Sequence, residues 1–181
     1  LEILQSPLED CFIVVPRAFK DARGVFCETF NKKAFELASG ITVNFVQDNQ
    51  STSTKGVLRG LHFQTGAKAQ AKLVRAIQGS VLDIVVDLRK SSKTFGQSFS
   101  LVLTAENRKQ LFVPKGFAHG FITLSETSVF GYKCDAYYDA ASEGGIIYND
   151  ATLKLDWHLS EDEFIVSEKD LQLPSFKEAT A

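Results

Sequence analysis

Three groups that carry or can take up a proton, Arg59, His62 and Lys72, fall within the stretch Gly56–Lys72, in an apolar, strand-like setting. Such groups cost free energy to bury unless they have a partner or a task. The chain holds three histidines in all. His62 stands between Leu61 and Phe63; His119 follows a turn-like Pro114-Lys115-Gly116 and precedes Gly120-Phe121. One histidine on an apolar strand is ordinarily a hydrogen-bonded core residue. Two of them near Arg59 and Lys72 would repel and desolvate one another, which points to a site. The chemistry within reach is proton transfer at an imidazole beside a cationic grip for an oxyanion or phosphate. His158, behind Trp157 in an irregular tail, reads as a residue without chemistry.

The elements that must hold these groups are short. Apolar or alternating segments recur between turn residues, the pattern of an all-β sandwich or barrel. Strands are expected at Phe12–Val15, Val25–Phe30, Val43–Asn49, Gly56–Phe63, Lys72–Gln78, Ser80–Leu88, Gln97–Thr104, Gln110–Val113, Ala118–Leu124, Val129–Cys134 and Gly145–Tyr148. Gln78-Gly79-Ser80 reads as a tight hairpin. One helix is expected between the cap Asn31 and the terminator Gly40, with a second helical turn near Ser160–Phe164. The residues from about Lys177 onward read as a frayed tail. No repeat, linker or low-complexity tract divides residues 1–181, so a single domain is expected.

Composition narrows the class. The net charge of −2 gives no bulk attraction to nucleic acid or to an anionic membrane, so any phosphate grip must be local. No apolar run approaches the ~20 residues of a membrane helix, and the first residues do not read as a secretory leader. Cys11, Cys27 and Cys134 are odd in number and lack metal-binding or disulfide spacing, which favours a reducing, cytoplasmic setting.

The spacing Pro114-x-Gly116-x-x-His119 resembles the second motif of the cupin barrels. Metal-binding cupins offer His-x-His in their first motif, whereas this chain has His62-Phe63-Gln64. A neutral amide is a poor substitute for imidazole or carboxylate, so no catalytic metal is expected. The resemblance then becomes closer. Gln47-Asp48-Asn49, Gly56-Val57-Leu58-Arg59-Gly60-Leu61-His62-Phe63-Gln64, Gln70-x-Lys72-Leu73-Val74, Val86-Asp87-Leu88-Arg89 and Thr94-Phe95-Gly96 occur in order. Pro114-x-Gly116-Phe117-Ala118-His119-Gly120-Phe121, Tyr132-Lys133 and Ser167-Glu168-Lys169-Asp170 follow. This series resembles the dTDP-4-dehydrorhamnose 3,5-epimerase family over roughly residues 12 to 173. Lys93 and Ala151 stand where that family usually has proline, both at loop positions.

The resemblance implies a homodimeric, cupin-type jelly-roll barrel with a few short peripheral helices. It implies inversion at C3 and C5 of a 4-keto-6-deoxyhexose carried on dTDP, without redox cofactor or metal. Both carbons lie α to the C4 carbonyl, so each proton can leave to give an enolate. Carried over residue by residue, His62 is the base and Asp170 the carboxylate that orients it. Lys72 and His119 face O4, and Tyr132 returns a proton on the opposite face. Arg23, Arg59 and Lys169 correspond to phosphate and ribose contacts, and Tyr138 to the aromatic on which thymine stacks. Glu28, Glu143 and the Gln47-Asp48-Asn49 triplet match further binding positions, the triplet being expected to reach a neighbouring subunit's site. Two other readings stay open: a relative that inverts only C3 or only C5, and a sugar-nucleotide-binding cupin without catalysis.

One difficulty is geometric. Arg59 and His62 are three residues apart, so in a regular strand they face opposite ways. Both can line one pocket if the strand is bulged or twisted between them, and Gly60 is where a bulge fits without steric cost. Otherwise Arg59 reaches around the edge to serve phosphate at the barrel mouth while His62 alone points inward.

Overall fold

A computed structural model describes all of residues 1–181. Fourteen strands and three short helices follow one another along the chain. The first strands are β1 (Glu2–Gln5), β2 (Phe12–Val15), β3 (Ala18–Asp21) and β4 (Gly24–Cys27), followed by helix α1 (Lys32–Ser39). The central series is β5 (Gln47–Thr54), β6 (Val57–Gln64), β7 (Lys72–Gln78), β8 (Ser80–Asp87), β9 (Ser98–Thr104), β10 (Gln110–Val113), β11 (Phe117–Thr123) and β12 (Thr127–Cys134). The chain ends with β13 (Glu143–Gly145), β14 (Ile165–Val166), α2 (Glu168–Leu171) and α3 (Phe176–Ala179).

Two sheets face each other. The first has the order β1-β2-β10-β7-β12-β5 and the second β13-β6-β11-β8-β9, with β14 added beside β6. The two orders share no strand, so hydrogen bonding does not close them into one continuous barrel. Alternation explains the interior. From β7 and β12, Val74, Ala76 and Phe130 point inward to meet Val81, Val85, Phe117 and Phe121 from β8 and β11. The opposite side chains of β8 and β11, Leu82, Ile84, Val86, Ala118 and Ile122, pack under the C-terminal segment with Ile146 and Trp157. Both faces of the second sheet are therefore buried, which is why β8 reads as a nearly continuous apolar run. Phe12, Val14, Leu73 and Phe112 cover the outer face of the first sheet under Phe35 of α1. Helix α1 has the expected ends: Asn31 accepts from the Ala34 N–H, and Gly40 is left-handed.

Several boundaries differ from expectation. The strand expected at Val43–Asn49 begins instead at Gln47 and runs to Thr54. Its eight residues pair in full with β12, and its sequence is polar because much of it borders a cavity. The strands expected at Val25–Phe30 and Gly145–Tyr148 are shifted to Gly24–Cys27 and Glu143–Gly145. The tail is not frayed from Lys177: Ser175 and Glu178 form a capping box for α3, and Phe176 rests on Phe95.

Candidate active site

A cavity of about 600 Å³ opens between the sheets, and its lining comes from both. The second sheet contributes Arg59 and His62 on β6 and His119 and Phe121 on β11; the first contributes Lys72 on β7 and Tyr132 on β12. His62 and Tyr132 thus stand on opposite walls.

Arg59 and His62 reach the same space because β6 is bulged. His119 pairs with His62 and Phe121 with Arg59, so one residue of β11, Gly120, faces two of β6, Gly60 and Leu61. Gly60 lies at the irregularity with φ 124°, a conformation that L side chains rarely adopt. A Cβ there would sit 2.6 Å from Gly120 Cα and 2.9 Å from the His119 carbonyl oxygen. Glycine is required on both counts.

The same bulge frees the Gly60 N–H, which donates to Asp170 Oδ2 at 3.1 Å. The other oxygen of Asp170 holds His62 Nε2 at 2.8 Å. Asp170 is 108 residues from His62 and arrives on α2, whose cap Ser167 accepts from the Asp170 N–H. Burial opposes ionisation of this carboxyl, but the hydrogen bonds from His62 and Gly60 outweigh it and hold it below the ordinary carboxylate range. An ionised Asp170 can only accept, so Nε2 carries the hydrogen, and in the neutral imidazole His62 Nδ1 keeps a free lone pair.

A second histidine–carboxylate pair lies deeper. His119 Nε2 is 2.8 Å from Asp83 Oδ2, and both residues are buried. Asp83 sits on the inner face of β8 with Val81 and Val85. Its other oxygen, Oδ1, has no hydrogen-bond partner. Burial raises this carboxyl above its ordinary range, against the opposing pull of His119 and Lys72. Burial likewise lowers the Lys72 amine, opposed by Cys134, Asp83 and Glu143. Lys72 lies 5.9 Å from the centre of the Tyr132 ring. The Tyr132 phenol is pushed up by burial and by Cys134 and pulled down by Arg59, and so keeps its proton more firmly than a free tyrosine.

Asp83 escaped the sequence reading. Its signal was present, as one acid inside Val81-Leu82-Asp83-Ile84-Val85-Val86, where an unpaired carboxylate would be costly.

A neighbouring cleft of about 330 Å³ shares His62, Lys72 and Tyr132 with the main cavity and adds Gln47, Asn49, Tyr138 and Glu143. Lys169 Nζ and the Tyr138 hydroxyl both donate to Glu143 Oε2, at 2.7 and 2.8 Å. Gln47 and Asn49 line this chain's own cleft. Asp48 points elsewhere and pairs with Lys133 at 2.6 Å. Arg23 and Glu28 lie outside both cavities. Arg23 is 90% exposed on the β3–β4 hairpin and pairs with Asp21, while Glu28 accepts from Asn31. His158 is exposed beside Asp156.

No three His, Cys, Asp or Glu side chains converge as a metal site. The Gln64 amide, at the cupin ligand position, is committed to backbone groups.

Fold and cavity together define a class: a double-sheet β protein whose interior is equipped for acid–base chemistry on an anionic ligand. The sequence model described as dTDP-4-dehydrorhamnose 3,5-epimerase matches residues 5–178. The chain belongs to that family. It is 50% identical over 159 residues to the dTDP-4-dehydrorhamnose 3,5-epimerase of Salmonella typhimurium, covering 88% of this chain and 87% of that one. The crystal structure of the Elizabethkingia anophelis NUHP1 enzyme superposes with a TM-score of 0.96 at 50% identity, covering 99% of this chain and 98% of the other. A Legionella pneumophila dTDP-6-deoxy-D-glucose-3,5-epimerase, solved in complex with dTDP-4-keto-L-rhamnose, gives 0.93 at 44% identity, over 97% and 93%.

Proposed function

We propose that this chain inverts C3 and C5 of dTDP-4-keto-6-deoxy-D-glucose to give dTDP-4-keto-L-rhamnose, by removal and return of protons through an enolate. The observation that carries the reading is the His62–Asp170 pair on one wall of the cavity, facing Tyr132 on the other. His62 Nδ1 takes the proton from the carbon α to C4, and the C–H electron pair moves into the enolate with charge on O4. Lys72 and His119 hold that charge. Tyr132 gives its proton to the opposite face of the carbon, which inverts it; the His62 imidazolium then releases its proton to water and the Tyr132 phenolate takes one from water. The sequence repeats at the second carbon.

The deep pair suits a different task from the base. With Asp83 protonated, the direction in which burial pushes it, the carboxyl donates to Nε2 and leaves Nδ1 with a hydrogen to donate. His62 accepts and His119 donates.

Arg59, exposed at the cavity and bonded to Ser53 Oγ at 3.3 Å, is placed to meet the diphosphate, with Lys169 beyond it. Tyr138 stacks on thymine, flanked by Gln47, Asn49 and Glu143. We assign the double sheet to the cupin-type jelly rolls, as one domain, active in the cytoplasm. Asp48, paired with Lys133, lines neither of the two cavities.

Arg23 and Glu28 can meet a ligand only if a second copy supplies them. The β3–β4 hairpin fits that role: Phe19, Val25 and Phe26 are 50%, 44% and 69% exposed beside Arg23. The chain is therefore proposed as a homodimer that exchanges this hairpin's contacts. Sedimentation should give twice the chain mass, and Phe26→Ser should shift it towards the monomer and weaken substrate binding. A wild-type monomer with full activity would contradict the exchange.

The activity is tested by incubation with dTDP-4-keto-6-deoxyglucose in deuterated water, followed by NMR. Deuterium at both C3 and C5 with an L-configured product supports the reading. Deuterium at one carbon selects a mono-epimerase, and none at either carbon contradicts catalysis.

A further inference from the structure

Gln64 is the residue whose chemistry the mechanism leaves unused. It stands on β6 with its side chain 7% exposed, two residues from the base and at the position where metal cupins place a ligand. Its amide is fully engaged. Nε2 donates to the Lys68 carbonyl at 2.7 Å and to the Tyr137 carbonyl at 3.3 Å. Oε1 accepts from the Asp139 N–H at 2.8 Å. The groups on either side of Tyr138 are therefore held by one side chain 75 residues away from Asp139. Gln47 completes the grip, since its Oε1 accepts from the Tyr138 N–H at 2.9 Å.

Apolar packing does not fix this segment. Tyr137 is 68% exposed and Tyr138 56% exposed, and neither belongs to a core cluster. An exposed ring at the edge of a cleft gains little from burial, so its position depends on the polar bracket beneath it together with the hydroxyl's bond to Glu143 at 2.8 Å. Ordering such a ring before the ligand arrives removes that cost from binding.

We propose that Gln64 is a positioning residue that, together with Gln47, pre-sets the Tyr138 ring as a stacking platform for the planar base of the ligand. It acts on nucleotide affinity through Tyr138 and leaves the proton-transfer step alone. The inference rests on the proposed function in one respect, that Tyr138 meets the base.

The amide is required for a definite reason. Two carbonyls need a donor while one N–H needs an acceptor, and glutamine supplies both from one planar group. In Gln64→Glu at neutral pH the carboxylate keeps the acceptor but faces both carbonyls without a hydrogen. Protonation restores one donor. Gln64→Leu supplies neither at any pH.

The test is calorimetric binding of dTDP to the wild type, Gln64→Leu, Gln64→Glu, Tyr138→Ala and the double variant Gln64→Leu/Tyr138→Ala, with circular dichroism to establish folding. Gln64→Leu should weaken dTDP binding about tenfold and raise KM similarly, with kcat within about twofold of wild type. In the Tyr138→Ala background the same change should cost less than about twofold, because the ring it positions is gone. The Gln64→Glu deficit, taken as a ratio to wild type at each pH, should shrink as the pH falls towards about 5. If Gln64→Leu fails to fold, Gln64→Glu carries the test through that pH ratio. Affinity equal to wild type, full additivity with Tyr138→Ala, or a pH-independent Gln64→Glu deficit would overturn the inference. Wild-type protein that does not bind dTDP contradicts the proposed function, and the platform with it.

Discussion

Two histidine–carboxylate pairs of the same 2.8 Å length face one cavity, and their surroundings make them opposites. At the mouth, Asp170 receives the Gly60 N–H as well as the His62 ring and stays ionised below the usual range. In the interior, Asp83 has one oxygen without a partner, and burial pushes its carboxyl upward. In the roles proposed above, the first arrangement offers a lone pair to the ligand and the second a hydrogen. A pair of residue types therefore does not define a catalytic role; the hydrogen bonds to the carboxylate do.

Replacing each carboxylate by its amide puts the comparison under the most strain. Asp170→Asn offers His62 a donor in place of an acceptor, which reverses the ring tautomer and removes the lone pair from the cavity. We expect kcat to fall by about 10³–10⁴, close to the loss in His62→Ala. Asp83→Asn donates to His119 Nε2 as a neutral carboxyl would, so the Nδ1 hydrogen survives. Steady-state kinetics should find it within about tenfold of wild type. Equal losses in the two amide variants would break the contrast.

Lys72→Met removes the second donor to O4 and should lower kcat by about 10²–10³ while dTDP affinity changes less. Tyr132→Phe should lower product formation by about 10² yet retain more exchange of substrate deuterium, because proton removal precedes return on the far face. Exchange and inversion falling together would place Tyr132 on the abstraction step.

The smallest effect is on stability. Asp170 has a folded pKa below its unfolded value near ~3.9, so its contribution is present above that value and is lost as pH falls through the folded one. Asp83 has the reverse shift, so its ionisation lowers stability as pH rises from ~3.9 through its raised folded value. Measured by urea unfolding between about pH 3 and pH 8, Asp170→Asn should lose stability relative to wild type as pH rises. Asp83→Asn should gain. Slopes of the same sign would contradict the two environments.

Much of this was legible in local pattern. Short apolar or alternating runs between turn residues located β6, β7, β8, β11 and β12 to within a residue or two, because each buries one face or both. The irregularity expected near Gly60, from the spacing of Arg59 and His62 and the freedom of a glycine there, is a bulge. β5 was misplaced because its polar sequence borders a cavity and is held by pairing with β12 rather than by a core. β14 and α2 were invisible as elements: two and four residues long, they are defined by what they rest on. The Asp170–His62 contact crosses 108 residues and was available only through family resemblance, which gave its role but not the Gly60 N–H that keeps it ionised. Asp83 was legible in principle, as an acid in an apolar strand, and went unread. Arg23 shows the converse limit, since it lies outside both cavities of its own chain.

The central claim is that one base, His62 backed by Asp170, serves both carbons. Deuterium incorporation at C3 and C5, followed by NMR in wild type and in His62→Ala with dTDP binding measured in parallel, tests it most directly. The account predicts exchange at both carbons in the wild type and at neither in His62→Ala, which still binds dTDP. Exchange persisting at either carbon in the variant would contradict it.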